Sequence, residues 1–171
     1  MLLMLFPWQG ITLECSEGCH YDSSQHGKHE ACCITADFNR TVFEVNKTTT
    51  HLLLILKDVS YFSNATDIIP DFSHLKNLEA LVLDHDQRYS YSKVQLRRSS
   101  FPQPCKLRIF KSQLLLNFTA DAFADMELLE ILTLSNTASD WSIFPRFMNE
   151  SLCQMQQLKI LDLTQFSDEY S

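Results

Sequence analysis

The chain has only three glycines among its 171 residues, and all three lie at or before Gly27. Positions after Gly27 therefore cannot supply the glycine-rich turn that holds a phosphate group. The sequence also lacks the G-x-S-x-G, H-E-x-x-H, Walker and dinucleotide-binding patterns of common enzyme families. We therefore expect no enzyme, no cofactor and no metal ion, and we expect the chain to act through a surface.

A surplus of positive charge is also missing, since the net charge is −7 at pH 7. A chain with this balance is not expected to bind nucleic acid over its whole surface. No stretch reaches the ~20 continuous apolar residues of a membrane-spanning helix, so we expect no membrane span in this chain. Residues 1–14 are short and mostly apolar, and we interpret them as a signal peptide. The alternative is a true start upstream, because no basic residue precedes the apolar stretch.

Leucine is placed with a regular spacing, and this is the main structural signal. The pattern L-x-x-L-x-L occurs three times, each time after further apolar residues at steps of three. A step of two is typical of a β-strand, and steps of three suit a helical or 3-10 approach. The three copies are Leu78/Leu81/Leu83, Leu129/Leu132/Leu134 and Leu158/Leu161/Leu163.

Two weaker copies extend the pattern to five strands with a period of 25–29 residues: Leu52 with Leu54, and Leu107 with Ile109. The sequence thus predicts an α/β leucine-rich-repeat solenoid, a horseshoe segment with about five short parallel strands and a helical, 3-10 or irregular convex side. Stacking would bury the leucines between units at roughly 1.5–3 kcal/mol per side chain. We assign residues 48–171 to these repeats, with an incomplete C-terminal end. The alternative is amphipathic helices with chance spacing.

Four of the six cysteines lie close together before the repeats: Cys15, Cys19, Cys32 and Cys33. In an oxidising compartment we expect them to form disulfide bonds in an N-terminal cap, residues 15–47, that covers the first repeat. Three pairings are possible, and the spacing does not choose among them. The alternative is a zinc site that adds neighbouring histidines, which the adjacent Cys32-Cys33 fits poorly.

Asparagine indicates the compartment. Five of the seven asparagines lie in N-x-S/T sequons, where about one is expected by chance. We therefore predict a glycoprotein on the extracellular or endosomal-luminal side of a membrane. The predicted glycosylation sites are Asn39, Asn46, Asn64, Asn117 and Asn149.

Residues 88–111 hold seven of the 14 Lys and Arg and none of the 21 Asp and Glu. Such a basic segment with interleaved aromatic residues predicts binding of an anionic ligand, such as a nucleic acid or a phosphorylated glycolipid. The alternative is a solvated loop. Within the segment, Lys106 and Arg108 are expected to point away from the leucine core. The predicted ligand-binding residues are Arg97, Arg98, Lys106 and Arg108.

The cysteine-rich start, the T-T-T-H-L-L-L segment and the phrase from Ala122-Phe123 to Leu134-Ser135 resemble the ectodomain of Toll-like receptors over about residues 15–166. The resemblance implies the N-terminal part of a membrane receptor of innate immunity. Such a receptor recognises a microbial ligand, forms a homo- or heterodimer on binding it, and carries the immune-response signal through a membrane span and a cytoplasmic domain.

Two functions are therefore open. The first is the ligand-binding ectodomain fragment of a Toll-like pattern-recognition receptor, which signals only within a longer chain. The alternative is a short secreted leucine-rich-repeat protein that acts as a soluble co-receptor or decoy, which applies if the chain truly ends at Ser171.

Overall fold

A computed structural model describes residues 2–5, 12–15, 18–23, 29–57, 68–85, 94–135 and 141–163 of the chain. Within them lie eleven β-strands, two short α-helices and three 3-10 turns. The strands are β1 (Leu2–Leu5), β2 (Thr12–Cys15), β3 (Gly18–Ser23), β4 (His29–Thr35), β5 (His51–Leu56), β6 (Ala80–His85), β7 (Val94–Leu96), β8 (Ile109–Ser112), β9 (Leu116–Phe118), β10 (Ile131–Leu134) and β11 (Ile160–Asp162). The helices are α1 (Phe38–Glu44) and α2 (Phe144–Glu150), and the 3-10 turns are Arg98–Ser100, Trp141–Ile143 and Leu152–Gln154.

Seven strands form one mixed sheet in the order β11-β10-β8-β6-β5-β4-β3. β3 runs antiparallel to β4, and all the other neighbours in this sheet are parallel. Outside this sheet, β1 and β2 form an antiparallel pair, and β7 and β9 form a parallel pair. All six residues of β5 are buried, as expected for a continuous apolar strand that is covered on both faces.

The prediction of an α/β leucine-rich-repeat solenoid is wrong. The described residues show one mixed sheet of seven mostly parallel strands with few helices, and they form no solenoid. The predicted five parallel strands are too few because the cysteine-rich segment adds β3 and β4 to the same sheet through its backbone hydrogen bonds. The connections also differ from the prediction, since those before and after β8 contribute the paired strands β7 and β9.

The predicted phase of the third strand is also wrong. Leu107 and Ile109 were placed in the leucine positions of that strand, but the register aligns Phe110 and Ser112 with the leucines of β6 and β10. Leu107 is buried in the segment before β8, and Ile109 lies on the opposite face from Phe110. The offset arises because a phenylalanine and a serine stand where the other strands have leucines, so leucine spacing alone does not locate β8.

The core lies between one face of the sheet and the segments that connect the strands. Phenylalanine rings fill it: the ring centroid of Phe110 is 6.0 Å from that of Phe101 and 5.5 Å from that of Phe123. Phe147, on α2, extends this cluster, with its ring 5.1 Å from that of Phe118. Aromatic rings at these distances add to the free energy of burial, so the connecting segments are held against the sheet by large apolar contacts.

Candidate recognition surface

The two faces of the seven-stranded sheet carry different side chains. One face, which we call the core face, packs its leucines and Phe110 against the connecting segments. On the opposite face, which we call the outer face, the alternate residues of each strand project away from the core. The parallel register aligns these residues into rows that cross the strands. The outer face is therefore a broad surface made of side chains from several strands.

At β4 and β5 the outer face is closed. Cys32, Leu53 and Ile55 are buried there, and Ile34 and Val82 pack against them. β2 also lies against β3 and β4 at this end of the sheet. The contacts among Cys32, Leu53 and Ile55 are apolar, so this part of the outer face is a second, smaller core. We call it the closed end.

At β8, β10 and β11 the outer face carries a row of isoleucines. Ile109, Ile131 and Ile160 are register partners on these three strands. Ile109 and Ile131 are partly exposed, and Ile160 is 52% exposed. We call this part of the sheet the open end and these three residues the isoleucine row. It is an apolar strip that solvent reaches.

A row of charged residues lies immediately before the isoleucine row in the chain. Arg108 Nε donates a hydrogen bond to Glu130 Oε1 at 2.6 Å, and Lys159 Nζ donates to Glu130 Oε2 at 2.6 Å. The hydrogen bond from Lys159, followed by that from Arg108, lowers the pKa of the Glu130 carboxyl. These three residues, which we call the charged row, run along the edge where β8, β10 and β11 begin.

Lys106 lies two residues before the charged row in the chain. Its Nζ donates to the Asn77 side-chain oxygen at 3.2 Å, which is a neutral acceptor. Among the described residues no carboxylate pairs with Lys106. Of the two predicted ligand residues at this edge, Arg108 thus shares the Glu130 carboxylate with Lys159, whereas Lys106 bonds only a neutral group among the described residues.

Arg97 and Arg98 lie elsewhere, beside the paired strands β7 and β9. They line an open groove of about 590 Å³ between the 3-10 turn Arg98–Ser100 and the segment that follows β9. Arg98 donates two hydrogen bonds to Asp125, at 2.6 and 2.7 Å, and Gln103 donates a third at 2.8 Å. The hydrogen bond from Arg98 is the main cause of a lowered pKa at Asp125.

The four predicted ligand residues therefore do not form one patch. Two lie at the groove and two at the strand edge, and the side chain of each makes a hydrogen bond within the protein. Sequence reasoning missed Glu130, Lys159 and the isoleucine row. The signal was present, because these residues occupy the positions just after the first leucine of each L-x-x-L-x-L pattern, as Arg108 does after Leu107.

Cysteine pairing is resolved in part. Cys19 and Cys33 form a disulfide bond across the antiparallel pair β3–β4, with their Cα atoms 4.0 Å apart. Cys32 is also disulfide-bonded, and the side chain of Cys15 lies outside the described residues. Cys105 and Cys153 are free, and burial raises the pKa of the Cys105 thiol. A raised pKa keeps a thiol protonated and unreactive. The prediction of disulfide bonding in the N-terminal segment is confirmed by the Cys19–Cys33 bond.

The predicted glycosylation sites differ in exposure. Asn46 and Asn149 are exposed, and Asn117 is half-buried in β9. The Asn46 side-chain oxygen accepts hydrogen bonds from both the backbone N–H and the hydroxyl of Thr48, each at 3.0 Å. The side chain of Asn39 and the whole of Asn64 lie outside the described residues. Glycosylation of all five stays a prediction.

Within the described ranges no three His, Cys, Asp or Glu residues are grouped so as to hold a metal ion. No described helix has the length and apolar character needed to cross a membrane.

Comparisons with protein-family models, with curated proteins and with solved structures each find no match to this chain. The resemblance to Toll-like receptors therefore stays a prediction.

Proposed function

We propose that this chain is the ligand-binding part of an extracellular pattern-recognition receptor of innate immunity, with a role similar to that of a Toll-like receptor ectodomain. Three observations support the proposal: five N-x-S/T sequons, a disulfide bond between Cys19 and Cys33, and the receptor-like phrase that ends at Ser135. The receptor would carry its signal through further segments of a longer chain.

The observation that carries the proposal is the pairing of two rows at the open end. The charged row and the isoleucine row lie side by side across three adjacent strands, and both are accessible. Interfaces between macromolecules combine an apolar strip with bordering polar groups in this way. The isoleucine row lies on an open sheet face and the charged row along its edge, so this surface suits a macromolecular ligand better than a small molecule.

The ligand chemistry follows from the charges that stay available at this edge. Arg108 and Lys159 share the single carboxylate of Glu130, so the charged row keeps a net charge of +1. Lys106 adds a second positive charge close by, since it bonds a neutral amide. Glu79, which holds the corresponding position before β6, offsets one of these charges. The remaining local charge of about +1 beside an apolar strip favours a microbial ligand with anionic and apolar parts, such as a phosphorylated glycolipid.

The test measures binding of a purified bacterial phosphorylated glycolipid to the secreted, folded chain. Lys106→Glu and Ile160→Lys should each weaken binding by about tenfold or more, equivalent to roughly 1.4 kcal/mol. Met148→Lys is the matched control, because Met148 is an exposed apolar residue (44%, against 52% for Ile160) on α2, which covers the core face. The Met148 variant should bind as the wild type does.

Each result has a separate meaning. Equal affinity of the Ile160 and Met148 variants would remove the open end from the proposal. A short single-stranded RNA that binds with a steep salt dependence, where the glycolipid does not bind, would show that the ligand is a nucleic acid. No binding of either probe to glycosylated wild-type protein would contradict the anionic ligand altogether.

A further inference from the structure

The groove beside β7 and β9 is close to electrically neutral. Its wall carries two arginines and two aspartates, together with amide and hydroxyl groups. The carboxylate of Asp125 already accepts three hydrogen bonds, two from Arg98 and one from Gln103. A wall with balanced charges and many hydrogen-bonding groups suits a neutral, hydroxyl-rich ligand better than an anion. The groove wall includes Arg97, Arg98, Gln103, Thr119, Asp121 and Asp125.

The Asn117 sequon stands on the same side of the β7–β9 pair as this groove. Asn117 is the register partner of Gln95, and Arg97 donates a hydrogen bond to the Gln95 side chain at 3.0 Å. Thr119, the third residue of the sequon, lines the groove two residues after Asn117. Because residues two apart on an extended chain project to the same side, Asn117 and Thr119 face the same way.

Thr119 adds an independent observation. Its hydroxyl is shielded from solvent and makes no hydrogen bond with any described residue. A shielded polar group without a partner costs free energy, and it is expected to be satisfied by something that reaches the site. A sugar attached two residues away has both donors and acceptors, and it could pair with this hydroxyl once the groups that cover the hydroxyl move aside.

We propose that the N-linked glycan carried on Asn117 lies in this groove, with its first sugars against the wall around Gln103 and Thr119. The volume of about 590 Å³ falls in the range of ligand-sized cavities, roughly 300–1,000 Å³. Attachment forms a bond between the Asn117 amide nitrogen and C1 of the first sugar, and the amide nitrogen loses a proton. The bond from C1 to the lipid diphosphate donor of the secretory pathway breaks, and the lipid diphosphate leaves.

The inference rests on the extracellular location in the proposed function, and it changes which residues a ligand can use. Arg97 and Arg98 would lie beneath the glycan, so the ligand is left with the open end of the outer face. The glycan would also bridge the segment after β7 to the segment after β9, because both line the groove.

The test uses the full chain secreted from mammalian cells, with occupancy of each sequon measured by peptide mass spectrometry. Hydrogen exchange of the folded glycoprotein is then compared before and after enzymatic removal of the glycans. We expect a loss of protection in residues 97–103 and 119–125 on removal. Asn117→Gln should cause the same loss, and Asn46→Gln, which removes a sequon at a distant exposed site, should not.

A second measurement tests the groove wall without touching the sequon. Gln103→Ala should leave occupancy at Asn117 unchanged and make its glycan easier to release from the folded protein. Because enzymatic removal acts on protein that has already folded, a failure of Asn117→Gln to fold does not affect the test.

Each of three results would overturn one of the two proposals, either the glycan inference or the extracellular function. An unoccupied Asn117 beside occupied Asn46 and Asn149 would overturn the glycan inference and leave the receptor function standing. Unchanged hydrogen exchange around the groove after glycan removal would also overturn the glycan inference and leave the receptor function standing. A secreted wild-type chain with no occupied sequon would instead count against the extracellular function, on which the glycan inference depends.

Discussion

The closed end and the open end of the outer face belong to one sheet, but different interactions hold their side chains. At the closed end, Cys32, Leu53 and Ile55 are buried in an apolar cluster, and the Cys19–Cys33 disulfide lies on the opposite, core face of the same part of the sheet. At the open end, the corresponding face carries isoleucines that solvent reaches and a row of ion pairs. The same parallel register therefore supports apolar burial at one end and accessible side chains at the other.

This difference suggests that the closed end mainly stabilises the fold and that the open end is free to take part in the proposed binding. A buried leucine contributes about 1.5–3 kcal/mol relative to an exposed one, whereas an exposed ion pair contributes about 0–1 kcal/mol. Substitutions at the open end should therefore alter binding with little effect on folding, and substitutions at the closed end should do the reverse. The sheet can anchor the proposed recognition surface on strands that are stabilised elsewhere.

The largest expected effect comes from truncating the closed end. Leu53→Ala removes a side chain that is 4% exposed, and we expect the free energy of unfolding to fall by about 2–5 kcal/mol. Ile160→Ala, at a position 52% exposed, should change it by no more than about 0.5 kcal/mol. Urea unfolding of both variants gives the two values. Equal losses would show that the two ends do not differ in their contribution to stability.

The second effect concerns the Cys19–Cys33 disulfide, which lies on the core face behind the closed end. The double variant Cys19→Ala/Cys33→Ala removes a cross-link between residues separated by 14 positions, and stability should fall by about 3 kcal/mol. The denaturant midpoint of the oxidised protein is the measurement. Cys153→Ala, which replaces an exposed free cysteine, is the control and should leave the midpoint unchanged. An unchanged midpoint in the double variant would mean that the Cys19–Cys33 bond does not contribute to the stability of this part of the sheet.

The sequence predicted individual strands better than the sheet they form. Leu81, Leu132 and Leu161 lie in strands with matching register, because a spacing of two residues is a direct sign of strand alternation. The fold class was wrong because sheet membership depends on backbone pairing between distant segments. Polar residues in β3 and β4 concealed two of its strands, and Phe110 and Ser112 concealed the phase of a third.

The site was less predictable than the strands for a related reason. Arg108 and Glu130 are 22 residues apart, and Glu130 and Lys159 are 29 apart, so their ion pairs exist only once β8, β10 and β11 are aligned. Sequence composition located the basic segment, but it gave no sign that Arg98 and Arg108 would be paired with carboxylates from other strands. Disulfide bonding was predictable from composition, whereas the Cys19–Cys33 pairing was not, since it follows from the antiparallel register of β3 and β4.

The smallest expected effect concerns the ion pairs of the open end. Hydrogen bonds from Lys159 and Arg108 lower the pKa of Glu130 in the folded protein. A lowered pKa stabilises the fold above the ordinary glutamate pKa of about 4.3, and this contribution is lost as the pH falls through the folded-state value.

Glu130→Gln should therefore be slightly less stable than the wild type near neutral pH, and the difference should disappear in acid. Urea unfolding at neutral pH and at a pH well below the ordinary glutamate pKa gives the comparison. Glu127→Gln makes the same chemical change at a nearby exposed position and should show no such convergence. High salt should also narrow the neutral-pH difference, because exposed charges are screened. A difference that persisted in acid and in high salt would mean that Glu130 stabilises the open end through packing, as the closed end is stabilised, rather than through its charge.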